Sequence, residues 1–294
     1  MHRRPAWNCL VLFFCLACCG IAGHVTASPD NAASRHVPQT AAAETQADTY
    51  IITGQEWAEG AGASEAAQLG RLLILETASR MPDHTGNALN CAHCHQEAGT
   101  KPGAAPFAGV TRRFPMYRAR IGREQTVEER IQDCFERSLA GTAPDADSTE
   151  VKAMVAYMTH LSRDVPPGAK LVSRGIPRLA PPQESPDLVR GEALYQAKCV
   201  ACHMTNGGGL KAPNGTVIFP ALWGDDAFNI AAGMARLNTA AGFIKTNMPK
   251  GLEGTLSEQE AYDLALYVTR QARRDFARKH LDWPQGGRPE DARY

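Results

Sequence analysis

The chain has 294 residues, with 31 basic against 31 acidic side chains, 21% charged residues and nine cysteines. This balance excludes a polybasic nucleic-acid binder, a highly charged disordered chain and a multi-span membrane protein. Nine is odd, and because disulfides consume thiols in pairs, at least one cysteine needs a different use.

Residues 1–27 read as an export signal. A basic start, His2-Arg3-Arg4, precedes an apolar run from Cys9 to Gly23 that falls short of the roughly twenty residues a membrane span needs. Val25-Thr26-Ala27 offers small residues for cleavage before Ser28, which predicts a periplasmic protein. Leu16-Ala17-Cys18-Cys19 loosely resembles a lipobox, so membrane association is expected only through lipidation at the N-terminus. Removing the signal takes Cys9, Cys15, Cys18 and Cys19 with it and leaves Cys91, Cys94, Cys134, Cys199 and Cys202. Residues 28–47, rich in Ala, Ser and Thr, read as a poorly ordered leader.

A first domain is expected over residues 48–165. Helix formers with apolar residues at three-to-four spacing run from Ser64 to Leu75. Cys91-Ala92-His93-Cys94-His95 follows. Thr126 and Glu129 form a capping box that starts a helix near Val127, running through Cys134 to about Leu139. Asp147, with Glu150 reaching back, predicts a closing helix with an apolar stripe of Val151, Met154, Val155, Met158 and Leu161. Prolines over residues 166–188 read as a stiff linker. A second domain, residues 189–282, repeats the plan. A short helix leads into Cys199-Val200-Ala201-Cys202-His203, and a Ser257/Glu260 capping box opens a closing helix striped by Ala261, Leu264, Ala265 and Val268. Residues 283–294 read as a tail.

Both motifs are C-x-x-C-H, in which two thiols form thioethers to a porphyrin and the adjacent histidine becomes an axial iron ligand. Half of a zinc site or a redox C-x-x-C would fit one motif taken alone, but not two such motifs on an exported chain with no βαβ pattern around them. Helix, attachment motif, loops and a closing helix, found twice, resemble class-I cytochrome c domains. The expected fold is therefore mainly α: two class-I cytochrome c-like domains joined by a Pro-rich linker, carrying two covalently bound heme c groups. Domains this small have modest cores, so each heme should form a large part of the buried apolar surface.

The second axial position decides what each heme does. For the second heme the candidates are Met204, Met234, Met248 and His280. Met248 is favoured because Asn247-Met248-Pro249-Lys250-Gly251 forms a loop just before the closing helix. For the first heme the candidates are His84, Met116, Cys134, Met154, Met158 and His160. A lone thiol is most often a small buried hydrophobe. Cys134 nevertheless stands out, because an unpaired thiol in an oxidising compartment is a liability unless used, and Arg130 sets a positive charge one helical turn back. Arg130, Cys134 and Ser138 are spaced by four and share a helix face. They lie in or beside an arginine run, with Arg112, Arg113, Arg118, Arg120, Arg123, Arg130 and Arg137 inside residues 112–137 and no lysine from Pro102 to Val151. Fixed guanidinium forks suit an oxyanion. Glu124, Glu128, Glu129, Asp133 and Glu136 are expected to pair with about half of these arginines on the surface, and Arg120 and Arg130 are expected at the heme.

The runs Cys91 to Pro102, Ala104-Ala105-Pro106-Phe107, Arg130 to Ser138 and Lys152 to Met158 resemble the thiosulfate dehydrogenases, periplasmic diheme cytochromes that couple two thiosulfate ions into tetrathionate. The resemblance spans about Asp48 to Arg273, and its most specific element is Cys134-Phe135-Glu136-Arg137-Ser138. It implies a catalytic heme with His95 and Cys134 as axial ligands and an electron-transfer heme with His203 and Met248. It also implies a substrate pocket built from Arg120, Arg130 and Ser138, thiosulfate and tetrathionate as ligands, and a soluble cytochrome c as acceptor. Some members of the family carry a lysine beside the distal methionine, where this chain has Asn247. Rival readings are a non-catalytic diheme electron carrier, a cytochrome subunit of a sulfur-oxidising complex and a diheme peroxidase.

Overall fold

The computed structural model describes residues 48–57 and 60–294, so the expected signal and leader lie outside the described residues. The first part of the chain forms β1 (Thr49–Ile51), α1 (Glu65–Leu75), α2 (Thr77–Arg80), α3 (Cys91–Cys94), α4 (Gln96–Gly99), β2 (Met116–Arg118), β3 (Arg123–Gln125), α5 (Val127–Arg137) and α6 (Thr149–Leu161). After β4 (Lys170–Val172) come α7 (Leu188–Lys198), α8 (Val200–His203), β5 (Leu210–Lys211), β6 (Val217–Phe219), α9 (Leu237–Asn247) and α10 (Glu258–Arg270). The strands form three two-stranded pairs, β1 parallel to β4, β2 antiparallel to β3 and β5 antiparallel to β6. No helix among the described residues is long and apolar enough to cross a membrane.

The caps explain where the main helices begin. Thr126 and Glu129 bond reciprocally at the start of α5, as Ser257 and Glu260 do at α10. At α6 the cap is Ser148, whose Oγ accepts the Val151 N–H at 3.2 Å, one residue beyond the expected Asp147. The Asp147 carboxylate instead pairs with Lys152 at 3.1 Å.

Each helical group is built on one crossing of its first and last long helices, α1 on α6 and α7 on α10, and each crossing is made at a glycine. A Cβ on Gly70 would stand 2.0 Å from the Ala153 carbonyl oxygen, and one on Gly191 would stand 2.2 Å from that of Asp263. Backbones that close tolerate no side chain between them. Above the first crossing lies the larger core, where Ile74, Phe135, Met154, Tyr157 and Leu161 are almost fully buried. Each such side chain contributes about 1.5–3 kcal/mol of transfer free energy. The second core is smaller, with Tyr195, Leu256, Leu264 and Val268 packed beside Trp223 and Tyr267.

Asp263 locks the second crossing. Its carboxylate, 2% exposed, accepts Arg190 Nε at 2.7 Å and the Asp187 N–H at 2.8 Å. Burial alone would raise its pKa, but the Arg190 bond and the two N–H donors from Asp187 and Gln259 outweigh that and hold it below the usual carboxylate value. A depressed carboxylate stabilises the fold above its unfolded pKa of about 3.9 and loses that contribution as pH falls through the lower folded value. Asp263→Asn should therefore lower the urea midpoint of the holoprotein at pH 7, and the gap to wild type should close as pH drops below about 4. A gap of constant size down to pH 2 would contradict this account.

Three segments depart from the expected domain plan. Residues 227–235, assigned by sequence to the second domain, pack into the first core through Phe228, Ala232 and Ala235. Asn229 fixes them there, its backbone N–H donating to the Arg137 carbonyl and its Nδ2 to that of Glu136. Asn87 Nδ2 also donates to the Ala227 carbonyl at 3.0 Å. The linker, in turn, lies against the first helical group, with β4 adding to β1. Finally, residues 283–294 are no free tail. Trp283 N–H donates to the Arg120 carbonyl at 2.7 Å, and Asp291 accepts Arg236 Nε and the Asn238 N–H, both at 2.9 Å. These attachments are side-chain and backbone pairings over long sequence separations, which local composition does not encode.

Candidate functional site

A cavity of about 270 Å³ opens between α3, α5 and α6. Cys91, Cys94 and His95 line it, together with apolar side chains from Ile74, Leu89, Phe107, Ile131 and Phe135. None of the five described cysteines forms a disulfide. Burial pushes the Cys91 and Cys94 thiols up to about 12, with the charge of Cys134 adding to both shifts. His95 Nδ1–H donates to the Ala105 carbonyl at 2.6 Å, which fixes the tautomer and leaves Nε2 as the ring nitrogen with a lone pair. Burial lowers its pKa to about 4, so the imidazole is neutral at physiological pH, as an iron ligand must be.

The turn after His95 is shaped to keep this geometry. Glu97, Ala98 and Gly99 all have positive φ, and a Cβ on Gly99 would fall 2.0 Å from the Phe107 ring. That ring stacks on His95 with centroids 4.4 Å apart. Two thiols and an oriented neutral imidazole on one wall of a largely apolar cavity fit a c-type heme.

The second motif repeats the arrangement. His203 Nδ1–H donates to the Pro220 carbonyl at 2.9 Å, and burial lowers its pKa. Tyr195, fully buried, donates its hydroxyl to the Met204 carbonyl at 2.7 Å and braces the turn behind the motif. Met248 caps the C-terminus of α9, half-buried, directly after the fully buried Asn247. Met234 is brought elsewhere, since it packs against the first core and lines the first cavity. His280 sits on the surface, its Nδ1 near the Ala277 carbonyl.

Around the first cavity, α5 and its C-cap residue present Arg130, Cys134 and Ser138 on successive turns, and all three line it. Met116, Met154 and Met158 also reach the lining, whereas His84 and His160 do not. His84 Nδ1 binds the Thr142 carbonyl, and His160 packs on Trp57.

Arg120 departs from expectation. It is not among the lining residues; its Nη1 donates to the Ala231 carbonyl at 2.6 Å, and its guanidinium lies 5.0 Å from the centre of the Trp283 ring with Asp282 beside it at 3.8 Å. These partners come from the inserted loop and the C-terminal segment, so nothing near Arg120 in sequence announces them. Arg137 is likewise committed, bidentate to Asp282 at 2.8 Å. The guanidiniums at the cavity are instead Arg113, Arg118, Arg130 and Arg174. Among the described residues no carboxylate forms an ion pair with any of the four. Burial lowers the pKa of Arg118, and the neighbouring Arg130 charge lowers it further. The lack of an acidic partner was the signal that separates them from their paired neighbours, but it is visible only in three dimensions.

Comparison with known proteins bears on the same residues. The family described as SoxA/TsdA, cytochrome c domain, matches residues 82–166, and the one described as cytochrome C oxidase, cbb3-type, subunit III, matches residues 186–268. A thiosulfate dehydrogenase from Allochromatium vinosum is 50% identical over 208 residues, covering 69% of this chain and 77% of that protein. The chain belongs to the thiosulfate dehydrogenase family. A second family member, from Psychrobacter arcticus, is 42% identical over 228 residues, covering 78% of this chain and 69% of that protein. The solved structure of thiosulfate dehydrogenase (TsdBA) from Marichromatium purpuratum in its as-isolated form superposes with a TM-score of 0.67 at 38% identity. The superposition covers 70% of this chain and 45% of that longer one. The two matched family regions make both helical groups of this family member cytochrome c domains, and such domains hold heme c.

Proposed function

We propose that the chain is a periplasmic thiosulfate dehydrogenase that joins two thiosulfate ions into tetrathionate and passes the electrons to a soluble cytochrome c. The observation that carries this reading is α5 with its C-cap, which directs Arg130, Cys134 and Ser138 at the cavity lined by Cys91, Cys94 and His95. Cys91, Cys94, Cys199 and Cys202 would tether two hemes covalently, with His95 and Cys134 as axial ligands of the first and His203 and Met248 as those of the second. When bound, the hemes supply two one-electron acceptors.

The remaining work falls to side chains. Two thiosulfate dianions repel one another, so bringing their sulfane sulfurs together demands fixed cations in a site of reduced dielectric. Arg118 and Arg130 supply these for the sulfonate oxygens, and the Ser138 hydroxyl donates a hydrogen bond. The Cys134 thiolate and the first sulfane sulfur form an S–S bond with loss of two electrons. The second thiosulfate then attacks that sulfane sulfur, breaking the bond to Cys134 and releasing tetrathionate with the cysteine thiolate restored. Each cycle consumes two thiosulfate ions, yields one tetrathionate and gives up two electrons.

The test is optical titration of the purified diheme protein with thiosulfate and, separately, with tetrathionate after reduction. Heme reduction by the first and reoxidation by the second are expected. Absence of both would leave the non-catalytic electron carrier as the better reading.

A further inference from the structure

The four guanidiniums at the first cavity divide into two pairs. Arg118 and Arg130 are half-buried on the Cys134 side of the cavity, and Arg130 is the charge that acts most strongly on Arg118, ahead of Asp133, Arg113 and Cys134. Arg113 and Arg174 line the cavity with much of their surface in solvent and form the other pair, partial desolvation of the Arg113 guanidinium and the Arg174 charge together pulling its pKa below the ordinary value. Two like charges facing one cavity with no carboxylate from the protein between them call for an anion.

Arg174 belongs to the interdomain linker, and its backbone is held from both sides. The Gly103 N–H donates to the Ser173 carbonyl at 3.2 Å, and the Ala105 N–H donates to the Gly175 carbonyl at 3.1 Å. Ser173 and Gly175 both have positive φ, 63° and 73°, so the chain turns sharply on each side of Arg174. Gly175 itself lines the cavity. Ala105 is also the residue whose carbonyl accepts the His95 ring N–H. The linker is therefore anchored to the segment that orients His95, whereas the groups assigned to thiosulfate surround Cys134 on α5.

A heme c tethered through Cys91 and Cys94 would bring two propionate carboxylates to this cavity. Two carboxylates of that kind match two guanidinium forks. We propose that Arg113 and the linker residue Arg174 are the carboxylate-binding pair for the propionates of the first heme, which makes the interdomain linker a structural part of that cofactor's site. This rests on the reading that the first cavity holds a heme c, and it adds a cofactor-binding role to a linker that already pairs with β1.

Removing a cation that pairs with a propionate favours the oxidised heme, so the midpoint potential should fall. The experiment is a spectroelectrochemical titration of the complete, substrate-free diheme protein at low salt and at about 1 M salt, where the Debye length shrinks to about 3 Å. Arg174→Gln is expected to lower the first-heme potential by on the order of 59 mV, a tenfold change in the oxidised-to-reduced ratio, and to keep most of that shift at high salt. Arg113→Gln should behave alike. Arg174→Lys, which keeps the charge, should shift the potential much less, and Arg112→Gln, the removal of an exposed arginine outside the cavity lining, should not shift it at all. Loss of the first heme's absorbance in Arg174→Gln but not in Arg174→Lys would equally support a cofactor-holding cation. An unmoved potential in both glutamine variants, or a shift that vanishes at high salt, would overturn the pairing. A raised KM for thiosulfate with an unmoved potential would assign the pair to substrate. If wild-type protein is not reduced by thiosulfate the functional reading fails, but the response of the potentials still decides the propionate pair.

Discussion

Cys134→Ser is expected to lower thiosulfate-dependent heme reduction by more than the roughly 100-fold that loss of a residue merely supporting an iron ligand produces. Serine keeps the volume and leaves the capping and packing of α5 untouched, so the fold should survive. What disappears is the sulfur. A serine hydroxyl cannot exchange with a sulfane sulfur and is a far weaker donor to iron than a thiolate. Two readouts should therefore move together: turnover should collapse, and the optical spectrum of the substrate-free protein should change as the first heme loses its proposed axial ligand. Turnover within tenfold of wild type would remove Cys134 from the chemistry. An unchanged spectrum with lost turnover would keep it as the sulfur-handling group and strip it of the ligand role, leaving Met116, Met154, Met158 and Met234 as the sulfur donors that line the cavity.

The arginines give the second large effect, and they separate substrate binding from architecture. Arg130→Gln should reduce kcat/KM for thiosulfate by roughly 10- to 150-fold, the range set by a charge-assisted hydrogen bond of about 1.5–3 kcal/mol. Arg118→Gln should fall in the same range, because the two guanidiniums share the cavity and neither has an acidic partner to retain it. Arg120→Gln should behave differently. Its bond to the Ala231 carbonyl and its stacking on Trp283 hold the inserted loop and the C-terminal segment to the first helical group. Loss of those contacts should lower the urea midpoint by an amount worth about 1–3 kcal/mol and change kcat/KM much less than either cavity arginine. Equal kinetic losses in Arg120→Gln and Arg130→Gln at unchanged stability would restore Arg120 to the substrate site.

Local rules account for the parts of the molecule that were legible beforehand. The two C-x-x-C-H motifs specify their own chemistry, because thiols and imidazole must lie within one helical turn to engage one porphyrin edge and its iron. The capping boxes at Thr126 and Ser257 are equally local and appear where expected. Gly70 and Gly191 are local signals of the same kind. A glycine inside an otherwise strong helix pattern costs stability unless something packs against it, and here the crossing helix does.

The odd cysteine count and the helical spacing of Arg130, Cys134 and Ser138 determined, by themselves, that a lone thiol and a guanidinium share one helix face in a chain with two C-x-x-C-H motifs. Spacing along a helix suffices for that inference, because 3.6 residues per turn leaves no freedom about which side chains are neighbours. Which arginines remain available was decided only by the tertiary structure. Asp282 neutralises Arg137 from 145 residues away in sequence, and Ala231 engages Arg120 from 111 residues away. Arg174 reaches the cavity because a linker strand pairs with β1 and its next turn bonds to the segment beneath His95. Charge compensation depends on distance in space and not along the chain, so a run of arginines marks a cationic region while only the folded chain selects its free members.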